Sequence, residues 1–390
     1  MISTPWHPLG HLRASAWLRW SYWWYYAAIG CLLPYIALYY QHLGFSGFQI
    51  GVLTTTIPLG TAFCAPLWGT LADTFAAHRI VLRSALLLAV GMAILLTQLS
   101  QFVTLLIVMT LLAITVAAIP SLLDGYAMTI SEHEGQSYGH LRVWGSAGFV
   151  VTAWLVGWWM DNSISTLFLV AYTVALLLSG VATFGLPQLQ PRRGEPMWQG
   201  VTAIMQDRPV LLLLFNVYLS SSSASILLSF LGIYIVEIGG NVQLVGGATA
   251  IGAISELPVF VLGTRLLNRL NSRRVLMFAM LVYVVRYTLY GIPLAPIWIA
   301  WLQGLHGLSY AAFLMASVTL IHELVGPARA ATAQGLLTSM SLGFGAITGT
   351  LVGGLLLDHI GAVGIFRVAG AGMLVACVSY RCSMRVIRPT

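Results

Sequence analysis

Residues 102–120 read FVTLLIVMTLLAITVAAIP, a run without a single charged side chain. A helix on the surface of a soluble protein keeps one polar face. This run is apolar on every face, as is Leu86–Leu96. Strands of a membrane β-barrel would instead alternate polar and apolar residues. Such stretches therefore read as helices buried in a bilayer.

The rest of the chain agrees. Of its 390 residues 58% are hydrophobic and 7% charged, with a mean hydropathy of +0.87. A soluble domain carries roughly 25% charged residues, so a soluble enzyme and a disordered chain are both excluded. A spanning helix takes about 20 apolar residues, and with short connections this length suits about twelve. The predicted spans are 16–42, 48–71, 79–99, 102–126, 138–160, 165–186, 209–238, 243–267, 274–292, 296–321, 331–356 and 362–384. The fold class is an all-α membrane protein of twelve transmembrane helices in two pseudo-symmetric six-helix bundles. The bundles are 1–186 and 209–390, joined by a linker over 187–208 whose start, PQLQPRRGEPMWQG, is rich in proline, arginine and glycine.

The net charge of +7 comes from arginine alone, since the chain has no lysine. With the N-terminus inside, fifteen of the 18 arginines fall at cytoplasmic ends. That asymmetry sets orientation and does not mark a nucleic-acid surface. Both termini are expected in the cytoplasm, with the protein in the cell (inner) membrane. MISTPWHPLGHLRASAW at the start has no short apolar run followed by a cleavage site, so the first span is expected to stay as a helix. Cys31, Cys64, Cys377 and Cys382 show neither metal-ligand nor disulfide spacing. Without lysine there is no Walker loop, which disfavours ATP-driven pumping. No cofactor and no metal are expected.

The two halves echo each other. GTLADTFAAHR starts at Gly69 and GTRLLNRLNSR at Gly263, half a chain later, each between the second and third spans of its half. Duplicated bundles around a central site are a transporter design. The first copy is similar to the G-x-L-x-D-x-x-G-x-[KR]-[KR] loop of the major facilitator superfamily through Gly69, Leu71, Asp73, His78 and Arg79. It departs at the inner glycine, where Ala76 stands. The resemblance implies that Gly69, Asp73 and Arg79 form a conformational latch between the halves.

An ionisable side chain in mid-bilayer costs about 2.5–3.5 kcal/mol on the lenient scale, so each one asks for a partner or a function. Asp124, Arg142, Glu256, Arg286 and His306 all fall inside predicted spans. Asp124 and Arg142 lie on adjacent antiparallel spans and are expected to pair. They form either a structural bridge or a solute site that offers both donors and acceptors. YGHLRVWGSAGF (138–149) surrounds Arg142 with small residues and aromatics, which suits close helix packing beside a cavity. This segment resembles the lactose permease and phenylpropionate permease-like branch of the superfamily. There an acid eighteen residues before the arginine completes a sugar-binding pair, and Asp124 holds that spacing to Arg142.

The resemblance extends to Arg286, to His306 twenty residues later and to Glu256, and implies proton coupling by this set. Three departures thin the charge network. Gln303 and Ser309 stand where the branch carries a lysine and a proton-carrying glutamate, and the serine run Ser220–Ser223 replaces acids. Phe149 replaces the branch's sugar-stacking tryptophan, so galactosides are not implied. The expected substrate-binding residues are Asp124, Arg142, Trp144 and Phe149.

Other features have plainer readings. Trp17, Trp20 and Trp24 read as an interfacial belt. Pro34, Pro58, Pro66, Pro120 and Pro258 are expected to mark kinks, and Glu237 to meet water. Gly343, Gly345, Gly349, Gly353 and Gly354 suit tight helix packing.

The expected function is secondary active transport of a small polar or anionic organic solute, a glycoside or an aromatic acid, by alternating access with proton symport. A proton-driven exporter of amphipathic compounds and a uniporter are the alternatives. A membrane enzyme would want catalytic groups paired near one membrane face, and a receptor would not need the duplicated loop. The expected partners are the solute, protons and the lipid bilayer, with no nucleic acid, and the chain is expected to act as a monomer.

Overall fold

The computed structural model describes residues 14–385 except 76, 136, 162, 163, 190–200, 293, 327 and 328. The helices are α1 (Ala14–Leu32), α2 (Ile36–His42), α3 (Gly47–Thr74), α4 (His78–Leu96), α5 (Phe102–Val116), α6 (Ala118–Glu134), α7 (Tyr138–Met160) and α8 (Leu167–Ala182). A short α9 (Val201–Ile204) precedes α10 (Arg208–Glu237), α11 (Val242–Leu270), α12 (Ser272–Tyr290), α13 (Pro296–Leu302), α14 (Ala312–Val325), α15 (Ala330–Thr338) and α16 (Ala346–Ser383). No strand occurs among the described residues.

Nine helical segments of the described residues are long and apolar enough to cross a membrane. Their outer faces are greasy. Leu67, Leu87, Val103, Trp159, Val261 and Val375 are all exposed, which in water would be unfavourable and in lipid is not. The chain is a multi-pass α-helical membrane protein.

Proline and glycine shape the spans unequally. The first predicted span is broken at 33–35, around Pro34. A proline lacks the N–H that would continue the ladder, and its ring crowds the preceding turn. Pro120 sits in the first turn of α6, just past the break at Ala117, where that loss matters least. Pro58, Pro66 and Pro258, by contrast, are carried inside continuous helices. The fourth predicted span runs on to Glu134 rather than stopping near 126, because Gly135, at φ 65°, closes the helix with a left-handed residue. The last helix bends at Gly361, at φ 67°.

Glu237 does not simply meet water. Both its oxygens accept from the Ala362 N–H at 3.1 Å, just past that bend, because a helix restarting there has free N–H groups. The tryptophan belt is also only partial. Trp20 is exposed, but a Cβ on Gly185 would collide with the Trp17 ring, so Trp17 packs inward. The glycine-rich stretch packs as expected: a Cβ on Gly345 would strike the Tyr218–Ser221 turn of α10, and one on Gly353 the Phe230 ring.

Helices from either side of the 187–208 segment meet mainly at the end away from it. There α3 packs on α16, and α7 on α11. A Cβ on Gly51 would lie 3.1 Å from the Gly354 Cα, and one on Gly157 3.1 Å from the Gly246 Cα, so backbones touch at both crossings. Residues 190–200 lie outside the described part. So does the Asp73 side chain, although Asp73 and Gly69 fall in the last two turns of α3 and Arg79 in the first turn of α4.

Candidate functional site

Two clusters of polar groups sit among the apolar helices. In the first, Asp124 on α6 and Arg142 on α7 face each other, with Arg142 Nε 3.9 Å from Asp124 Oδ1. The Tyr22 and Tyr138 hydroxyls both donate to that same oxygen, at 2.6 and 3.1 Å. Arg142 Nη2 donates to the Tyr26 hydroxyl at 2.7 Å, and its guanidinium carbon lies 4.0 Å from the Tyr26 ring centroid. An arginine held by both a hydrogen bond and an aromatic face is fixed in orientation.

Small residues make this geometry possible. A Cβ on Gly145 would come within 3.0 Å of Arg142 Nη1 and would strike the Tyr26 ring. A Cβ on Gly148 would overlap the Trp23 carbonyl, so α1 and α7 lie backbone to backbone. The pair is not sealed: the side chains of Arg142 and Asp124 remain 32% and 42% exposed. Trp144 is exposed beside Trp23, ring centroids 6.1 Å apart. Phe149 is half-buried one turn past Gly145.

The second cluster is built on α11, α12 and the turns between α13 and α14. Arg286 is completely buried. Its Nη1 donates to Ser309 Oγ at 2.5 Å and lies 3.3 Å from His306 Nδ1. Its Nη2 donates to Gln303 Oε1 at 2.8 Å and to the Tyr290 hydroxyl at 3.2 Å. His306 Nε2 in turn lies 3.2 Å from Glu256 Oε1. The three expected coupling residues therefore come together in series, Glu256–His306–Arg286, with the histidine between acid and arginine.

Gln303 and Ser309, read from the sequence as losses, hold Arg286 directly. A buried guanidinium needs several acceptors, and neutral side chains supply them without a second buried charge. His306 precedes a π-helical turn, Gly307–Ala311, a distortion often found at functional sites. A Cβ on Gly307 would overlap the Ser255 carbonyl, so this turn rests on α11, where Ser255 Oγ accepts from the Gly307 N–H at 2.8 Å.

Tyr310 completes the second cluster. Its ring stacks on His306, centroids 5.1 Å apart at 7°. Tyr22, Tyr26, Tyr138 and Tyr310 are site residues that the sequence reading did not single out. The available signal was Tyr22 and Tyr26 at i and i+4, on one helix face. Removing the Tyr22 donor should loosen Asp124 without emptying the site. Tyr22→Phe is expected to weaken solute binding about fivefold, the worth of one hydrogen bond, as read by isothermal titration.

The model of the MFS_1 like family matches residues 15–368, nearly the whole chain. The chain belongs to that family. Among its relatives, the maltose permease of Geobacillus stearothermophilus is 30% identical over 344 residues, covering 87% of each chain. A probable 3-phenylpropionic acid transporter of Escherichia coli is 25% identical over 375 residues, covering 92% of this chain and 94% of that one. The crystal structure of the nucleoside transporter NupG superposes with a TM-score of 0.86 over 96% of this chain at 17% identity, a likeness of fold. As an MFS_1 like protein, the chain is a membrane transporter and not an enzyme.

Proposed function

We propose that this transporter carries a neutral, hydroxylated cyclic solute of the glycoside class, bound at Asp124 and Arg142, in symport with protons. The supporting observation is the pair itself, half-exposed, with both tyrosine donors on Oδ1 and Asp124 Oδ2 left for another donor. A hydroxyl group both donates and accepts, so neighbouring hydroxyls satisfy a carboxylate and a guanidinium together. A carboxylate solute drawn to Arg142 would meet the Asp124 charge 3.9 Å away. Arg286 is a poorer anion site than Arg142, because it is completely buried and both its Nη groups already donate to Ser309, Gln303 and Tyr290. Trp144 supplies an aromatic face for a ring. The similarity to a maltose permease supports the sugar reading over the aromatic acid.

In this reading the spans number twelve. The nine apolar segments are joined by α1 with α2 and by the arginine-bearing α12, and the last is divided at Gly361. Helices 1–186 and 209–390 form the two halves, which rock about the central pair. With the 187–208 linker in the cytoplasm, the helix contacts at the opposite end close the outer face, and the structure is the inward-open state. A thiol-specific, membrane-impermeant reagent should therefore label a cysteine at position 195 only after cells are opened. Labelling from outside would reverse the orientation.

The direct test of the solute is a thermal-shift series on the purified protein with neutral glycosides, nucleosides and aryl carboxylates. The expected result is a saturable shift with glycosides that in Arg142→Lys needs about 30-fold more solute. Saturable shifts confined to aryl carboxylates would overturn the neutral-solute reading.

A further inference from the structure

The far-end crossings described above share a second feature. At the start of α3, Ser46 Oγ accepts from the Gln49 N–H, and the Gln49 side chain accepts from the Ser46 N–H, a reciprocal capping box. That box leaves the N–H groups of Gly47 and Phe48 without a partner in their own helix. Asp358, on α16, takes both. Its Oδ1 accepts from Gly47 N at 2.7 Å, and Oδ2 from Phe48 N at 3.4 Å.

The same construction recurs half a chain away. At the start of α11, Asn241 Oδ1 accepts from the Leu244 N–H at 2.9 Å. The next free group, Gln243 N–H, donates to the Asp161 carbonyl at the end of α7, 3.1 Å away. Both aspartates close a G-x-x-x-D sequence, Gly157–Asp161 and Gly354–Asp358. Each of those glycines is the one that touches a partner glycine, Gly246 or Gly51, five residues after the cap. The two copies differ in the acceptor they use. Asp161, at φ 51°, uses its backbone carbonyl, whereas Asp358 uses its carboxylate. The Asp358 contact carries a charge onto a helix N-terminus, where the helix dipole favours an anion.

We propose that Asp358 is a positioning residue for the transport cycle: its carboxylate completes the N-terminus of α3 across the interface and holds the far end closed. When that end opens, Asp358 releases Gly47 and Phe48, and their N–H groups pass to water. The cap is thus present in one state of the cycle and absent in the other, and its strength biases the equilibrium between them. The proposal rests on the alternating-access reading and is independent of the solute and of the coupling ion.

The test is a distance measurement by pulsed electron resonance in a background whose native cysteines are replaced. Spin labels go at Gln98 and Ile292, two exposed far-end positions on opposite sides of the linker. Asp358→Ala is expected to raise the ratio of far-end-open to far-end-closed molecules about fivefold, the effect of losing a helix cap. Asp358→Asn keeps an acceptor and loses the charge, and should fall between. Glu237→Gln is the control, because Glu237 caps Ala362 with both partners on the same side of the linker. It should lower thermal stability and leave the ratio unchanged. An unchanged ratio in both Asp358 variants, with a wild-type protein that populates both distances, overturns the latch alone. A single far-end distance with and without solute would sink alternating access together with it.

Discussion

Replacing Arg142 by lysine is expected to weaken solute binding about 30-fold, the worth of one hydrogen bond to a charged group at about 2 kcal/mol. The substitution keeps the positive charge. What it removes is the planar fork that spans Tyr26 and the Asp124 side at once, with Nη2 2.7 Å from the tyrosine hydroxyl and Nε 3.9 Å from the carboxylate. A lysine ammonium is a point charge on a flexible stem, and it cannot hold both directions. Asp124→Asn should give a loss of similar size, since an amide offers one acceptor oxygen where the carboxylate offers two. Isothermal titration with the glycoside found in the thermal-shift series reads both. Normal binding and transport in both variants would make the pair a structural bridge between α6 and α7.

The second large effect is on coupling. Glu256→Gln is expected to abolish solute accumulation against a gradient while leaving counterflow exchange intact. Exchange needs the carrier to cycle with solute and requires no net proton movement. Accumulation needs a group that gains a proton on one side and loses it on the other. Glu256 is suited to that role because its contact is His306, at 3.2 Å, and not Arg286 itself. The arginine is fixed by Ser309, Gln303 and Tyr290, so the acid and the histidine can change partners without uncovering a buried guanidinium. Proteoliposomes with an imposed pH gradient distinguish the two activities. Accumulation that persists in Glu256→Gln would move the proton carrier elsewhere, with Asp124 the next candidate.

Much of this architecture was legible in the sequence for one physical reason. A charge in the hydrocarbon core is expensive, so Asp124, Arg142, Glu256, Arg286 and His306 stood out against apolar runs. Their spacings on neighbouring spans then said which could meet. The tyrosines were not legible. A helix apolar on every face has no amphipathic stripe to reveal its rotation, so Tyr22 and Tyr26 were indistinguishable from Tyr25. The role of Gln303 and Ser309 was hidden for a different reason: comparison with charged counterparts shows what is missing and not what a neutral amide and hydroxyl do for a buried arginine. Glu237 and Asp358 were hidden because their partners are backbone N–H groups, which a sequence does not display. The kink at Gly361 that creates one of those N-termini depends on a single positive φ.

Uptake by the wild-type protein separates proton symport from passive equilibration. Purified protein in proteoliposomes, with the interior made alkaline relative to the outside, should concentrate a labelled neutral glycoside above its external level. Collapsing the gradient with a protonophore should return the internal concentration to that of the medium. Uptake that only equilibrates, whatever the gradient, would contradict proton symport and leave a uniporter. Net expulsion of the solute toward the acidic side would reverse the direction of transport assigned to this protein.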